Sequence, residues 1–280
     1  MASNNCKPQQ NLYNKINVFY IFLSISAIAG VSLNTFVNPA WIWLHYLTKP
    51  TATVLLVCWV LLIRVPIAKC YRNAIALGLV FAAVGDFFLM LPKDYFLAGL
   101  LCFLLTHCAY IYALSCDGIV VSDIKNHDFS LKFTLIRPIL IIFIVFILFT
   151  AIALLIFSGL RTHLPDSIKL PVAIYAAILA FMAALAMVRA ISYQVKHYQV
   201  KHYQVKNYRV KRAKSPVQQA ASCSVNYAAL GGLFFVVSDS LLAYGRFYFT
   251  TPFSPLWVLG TYYIAQWCFA RSVLRNDVKV

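Results

Sequence analysis

Glutamate is missing from this chain. All eight acidic residues are aspartates, set against 24 lysines and arginines, and charged side chains make up only 11% of the 280 residues. That is too little charge to cover a soluble domain. With 62% of the residues hydrophobic, the composition is that of a polytopic, all-α membrane protein. Several catalytic signatures are also absent. There is no G-x-S-x-G elbow, no H-E-x-x-H and no P-loop, which argues against serine hydrolase, zinc protease and ATPase readings. The eight cysteines form no C-x-x-C and no zinc spacing. Cys58, Cys102, Cys108 and Cys268 lie in apolar runs, and the cysteines read as small hydrophobes. With His and Asp scattered, no metal and no cofactor is expected. The run from Phe19 to Phe36 lacks an A-x-A-like cleavage site, so it reads as a first span rather than a cleaved signal.

Apolar runs long enough to cross a bilayer fall near 17–36, 41–63, 71–91, 95–114, 136–158, 169–190, 225–247 and 256–274. Lys49-Pro50 interrupts the second, which implies a kink or an interfacial first turn. Eight crossings put both termini on one side of the membrane. They also divide the basic residues 19 to 4 in favour of that side, with Lys49 near the other. By the positive-inside rule both termini are cytoplasmic, in a bacterial inner membrane or the endoplasmic reticulum.

Two aspartates sit inside apolar runs. The stretch 76–89, which contains Asp86, aligns without gaps on 229–242, which contains Asp239, and half the positions are identical. A carboxylate in hydrocarbon costs several kcal/mol unless it is protonated, paired or wet, so each is a functional candidate. The third and seventh runs point the same way. The match is therefore compatible with a four-plus-four parallel duplication and with one shared site. Gly85 and Ser238 precede the two aspartates and are small enough for close helix contact.

Other polar side chains fall at comparable depth. Thr106-His107-Cys108-Ala109-Tyr110 places Thr106, His107 and Tyr110 on one helix face. Tyr262 and Gln266 share a face of the last run, with Tyr263 beside them. Lys49 and Arg246 lie near the outer boundary, where a phosphate headgroup or simple snorkelling would suit them. Trp41, Trp43 and His45 read as interfacial belt residues.

Residues 191–214 are a low-complexity, basic tract built on the repeats Tyr193-Gln194-Val195-Lys196-His197 and Tyr198-Gln199-Val200-Lys201-His202. A five-residue period gives no continuous face in a helix or a strand. The tract reads as a cytoplasmic loop drawn to anionic headgroups rather than as a nucleic-acid site.

These pieces resemble the YhhN family of eight-helix membrane proteins, whose characterised animal members are lysoplasmalogenases. The matching residues are Lys49-Pro50, Gly85-Asp86, Thr106-His107 with Tyr110, Ser238-Asp239 and Thr261-Tyr262-Tyr263-Ile264-Ala265-Gln266. The resemblance implies hydrolysis of the vinyl ether of a lysoplasmalogen, with a lysophospholipid substrate drawn from the surrounding lipids. It implies Asp86 and Asp239 as catalytic residues. Lys49, His107, Tyr110, Ser238, Arg246, Tyr262, Tyr263 and Gln266 would line the substrate. Two carboxylates in one enclosed site share protons as a coupled pair, so acid and base are not assigned individually. A small-molecule or proton-coupled transporter is the alternative, since midplane carboxylates in parallel repeats also occur there. An intramembrane aspartyl protease fits less well, because the contexts Val84-Gly85-Asp86 and Val237-Ser238-Asp239 lack its motifs. Headgroup preference and oligomeric state are not legible.

Overall fold

The computed structural model describes residues 6–64, 66–116, 132–207, 216–249 and 253–274. It contains eight α-helices: α1 (Cys6–Phe36), α2 (Ile42–Leu62), α3 (Lys69–Met90), α4 (Phe96–Cys116), α5 (Lys132–Leu160), α6 (Asp166–Asn207), α7 (Pro216–Phe247) and α8 (Ser254–Ser272). Backbone groups in hydrocarbon must be satisfied within their own segment, which explains the helical architecture. A short 3-10 turn at Pro39–Trp41, capped by the Asn38 side chain, joins α1 to α2. Pro50 lies within α2, which continues through it.

Seven of the eight helices are long and apolar enough to cross a membrane. The chain is a multi-pass membrane protein. The exception is α8, and its composition explains why. Tyr262, Tyr263, Gln266 and Ser272 dilute its hydropathy, yet all four are buried against other helices. Leu256, Trp257 and Ile264 are its exposed apolar side chains.

The helices α1, α2, α3, α4, α6, α7 and α8 pack in that cyclic order, with α8 returning to α1. α5 lies outside the ring against α6 and α7. Its Leu140, Phe143, Ile144 and Leu155 are exposed, as expected of a lipid-facing helix. Small residues set the tightest contacts. A Cβ added at Gly78 would overlap the Tyr110 ring, and one added at Gly231 would overlap the Phe269 ring. Tyr110 and Phe269 in turn stack on each other, with centroids 4.2 Å apart.

The basic tract differs from its expectation as a loop. The α6 backbone stays helical through Asn207, so 191–207 extends the helix beyond the apolar run. No glycine or proline occurs between Pro171 and Pro216, so nothing in the chain stops the helix. A helix needs a continuous apolar face only where it packs. The remainder of the tract, 208–214, lies outside the described residues. Two cysteines also depart from the reading as isolated hydrophobes. Cys70 at the start of α3 and Cys116 at the end of α4 are paired as a disulfide, with Cα atoms 6.1 Å apart. His45 is not a belt residue: it is buried, and its Nδ1 lies 2.9 Å from the Ala27 carbonyl. Trp41 and Trp43 are exposed.

Candidate active site

Asp86 is almost fully enclosed, with 1% of its side chain exposed. The Lys49 ammonium lies 3.1 Å from Oδ1. Oδ2 accepts hydrogen bonds from the Tyr262 hydroxyl at 2.6 Å and the Thr53 hydroxyl at 3.3 Å. Gln266 Nε2 donates to the Tyr262 hydroxyl from one turn further along α8. Buried charges persist where they are paired and hydrogen-bonded, and this carboxylate has both. Lys49, expected near a headgroup, is therefore buried and committed to Asp86.

Asp239 is placed differently. Its side chain is 13% exposed, and the described contacts all fall on Oδ2. The Tyr175 hydroxyl donates to Oδ2 at 2.5 Å. His107 Nε2 lies 2.9 Å from the same hydroxyl and 3.4 Å from Oδ2. With Tyr175 donating to the carboxylate, His107 Nε2 must be the donor to Tyr175. His107 Nδ1 is buried and has no hydrogen-bond partner among the described residues.

The two aspartates thus stand at the ends of similar hydrogen-bonded arms. One runs Gln266–Tyr262–Asp86 and the other His107–Tyr175–Asp239. Each aspartate takes its phenol from a helix beyond its own hairpin. α8 serves Asp86 on α3, while α6 and α4 serve Asp239 on α7.

Both aspartates line one polar cavity of about 340 Å³, together with Lys49, Ser238, Arg246 and Tyr262. A second, narrower space of about 80 Å³ adjoins it between α4, α5, α6 and α7. Its walls are apolar, including Leu100, Phe149, Ile152, Val172 and Leu179. Asp239, Phe103, Phe96 and Leu89 border both spaces. Asp239 therefore sits where a polar chamber meets a hydrocarbon slot. Among the described residues, no three His, Cys or Asp side chains converge as a metal-ligand set.

The other expected site residues divide into two groups. Ser238 lines the cavity and donates to the Val258 carbonyl at 3.1 Å. Arg246 lines the cavity near the end of α7, where it contacts both Asp94 carboxylate oxygens at 2.6 and 2.7 Å and covers the Phe96 ring. Tyr110 and Tyr263 are not brought to the cavity. Tyr110 is stacked in the packing centre, and Tyr263 faces α1, where its carbonyl accepts from the Tyr20 hydroxyl. Tyr175 and Thr53 were missed. A signal for Tyr175 existed, because it is the lone hydrogen-bonding side chain in 170–188, the apolar stretch of α6.

A sequence model of the YhhN family matches residues 44–273, which include every residue of both arms. The chain belongs to the YhhN family. Relatives include the human protein called lysoplasmalogenase TMEM86A, 27% identical over an alignment of 212 residues that covers 72% of this chain and 65% of that protein. The bovine protein of the same name is 27% identical over 208 residues, with the same coverage. The rat lysoplasmalogenase TMEM86B is 24% identical over 239 residues, covering 85% of this chain and 76% of that protein. The chain thus spans 65% of the human and bovine proteins. No solved structure matches it.

Proposed function

We propose that this YhhN-family protein is a lysoplasmalogenase-like hydrolase. It cleaves the vinyl ether of a lysoplasmalogen to a fatty aldehyde and a glycerophospho-headgroup. The observation that carries the reading is the position of Asp239 at the junction of a polar chamber and an apolar slot. The scissile bond of such a lipid lies at the same kind of junction, between one hydrocarbon chain and a glycerol headgroup. A chain in the slot sets the vinyl ether against Asp239 and the headgroup in the chamber, toward Arg246. The chemistry suits two carboxylates. Protonating the β-carbon leaves an oxocarbenium ion, an anion stabilises it, and water adds to give a hemiacetal that collapses to aldehyde. The relatives' names agree with this reaction.

The test is release of fatty aldehyde from lysoplasmalogen by the purified protein in detergent, with no gradient across any membrane. Aldehyde appearing in proportion to enzyme is the expected result. A carrier would leave the ether intact, and that outcome would overturn the reading.

The same reading takes α8 as an eighth crossing and the two halves as parallel copies. The packing supports this: Gly78 on α3 meets Tyr110 on α4 as Gly231 on α7 meets Phe269 on α8. Both termini and the basic tract are then cytoplasmic, from the 19 to 4 split of basic residues. In a variant series, cysteines at Lys93 and Lys201 should label from opposite sides with an impermeant thiol reagent. Labelling of both from outside would contradict eight crossings.

A further inference from the structure

The two arms have the same form and different chemistry. In each, a nitrogen donates to a phenol and the phenol donates to a carboxylate. At the base of the Asp86 arm stands Gln266, an amide that cannot ionise. At the base of the Asp239 arm stands His107, an imidazole whose second ring nitrogen, Nδ1, is buried without a hydrogen-bond partner among the described residues. The carboxylates differ in the same sense. Asp86 is closed in by Lys49, Tyr262 and Thr53. Asp239 has no ammonium on it among the described residues. Its Oδ2 is held by Tyr175, and it borders both the chamber and the slot.

We propose that the His107–Tyr175–Asp239 arm is the proton-transferring half of the site and that the Lys49-paired Asp86 arm is its fixed half. This assignment rests on the vinyl ether reading above. Tyr175 and His107 are positioning residues, since they act on the substrate through Asp239.

The step proceeds as follows. Tyr175 holds Oδ2, which leaves Oδ1 to carry the proton. The Oδ1–H bond breaks, the alkene π pair forms a new C–H bond at the β-carbon, and the α-carbon becomes an oxocarbenium ion. Asp239 is now a carboxylate, held by the hydrogen bond from Tyr175, which His107 in turn holds. Water adds to the cation and returns one proton to Asp239, giving the hemiacetal. Asp239 then protonates the glyceryl oxygen as its bond to carbon breaks, and recovers the hydroxyl proton of the hemiacetal. One water is consumed and no net proton. Asp86 keeps its partners throughout and, as an ion pair with Lys49, holds its side of the chamber fixed.

His107 meets Tyr175 from α6 and Asp239 and Phe235 from α7.

His107→Gln tests the assignment, because it gives the Asp239 arm the same amide base as the Asp86 arm. The amide can still donate to Tyr175, so a purely structural role for His107 predicts little change. Aldehyde release by the purified protein is measured over a range of concentrations of a 1-alkenyl lysophosphatidylethanolamine in detergent. The expected result is a kcat at least about tenfold lower with a KM within about twofold of wild type. Tyr175→Phe removes a single hydroxyl and should lower kcat by a similar factor with little change in Tm. A His107→Gln protein with wild-type kcat overturns the proposal. So does a Tyr175→Phe protein with wild-type kcat, which decides the matter alone if the first variant does not fold. A wild-type protein that releases no aldehyde instead overturns the reading on which this inference rests.

Discussion

Asp239→Asn is expected to lower turnover by about a thousandfold while the protein remains folded. Asparagine has nearly the shape of aspartate and still accepts from Tyr175 through its carbonyl. It cannot deliver a proton to carbon. An uncharged amide is also cheaper to hold in an apolar interior than a carboxylate, so thermal stability should not fall. The arrangement at Asp239 makes the test clean: its described contacts lie on one oxygen and come from a phenol and an imidazole. The measurement is kcat for aldehyde release beside Tm in the same detergent. A large loss of Tm with unchanged turnover per folded molecule would assign Asp239 to structure alone.

The second large effect belongs to Lys49. Its ammonium is the cation placed on Asp86, and both side chains are buried. Lys49→Met keeps most of the length of the side chain and removes the charge, which leaves Asp86 without its ammonium in a low-dielectric interior. Removing one partner of a buried pair costs about 3–5 kcal/mol. Lys49→Met should therefore lower Tm markedly. Replacing both partners leaves no uncompensated charge, so Lys49→Met with Asp86→Asn should recover much of the lost stability. Thermal unfolding of the three variants checks this. A Lys49→Met protein as stable as wild type would mean that the pair does not hold α2 to α3.

Much of the fold was legible because membrane helices announce themselves by length and hydropathy. Each of the eight apolar runs overlaps a helix, and seven of the eight helices are long and apolar enough to cross a membrane. The boundaries that failed did so for physical reasons. α6 runs on through the pentapeptides because a helix needs no apolar face once it leaves its neighbours. α8 is less apolar than a lipid-facing helix because its tyrosines and Gln266 turn inward. At the site, Asp86 and Asp239 were visible as acids in hydrocarbon, and the local repeat paired them. Their partners were harder to see, since each comes from a distant helix. Lys49 looked interfacial because Pro50 follows it and the end of the run is near, yet a long side chain can reach inward as well as outward. Tyr175 lacks any motif. Its signal is solitude: one hydroxyl in an otherwise apolar stretch must find a partner when buried. Tyr110 and Tyr263 share helices with site residues but face other neighbours, a distinction that spacing alone does not make.

The central claim is that Asp86 and Asp239 work as one site. It is tested most directly by kcat for Asp86→Asn, Asp239→Asn and the double variant, measured on the same lysoplasmalogen with matched Tm values. Groups that act as a unit are non-additive, so the double variant should be little slower than the slower single variant. A double variant whose loss equals the product of the two single losses, or single variants with unimpaired turnover, would contradict a shared catalytic pair.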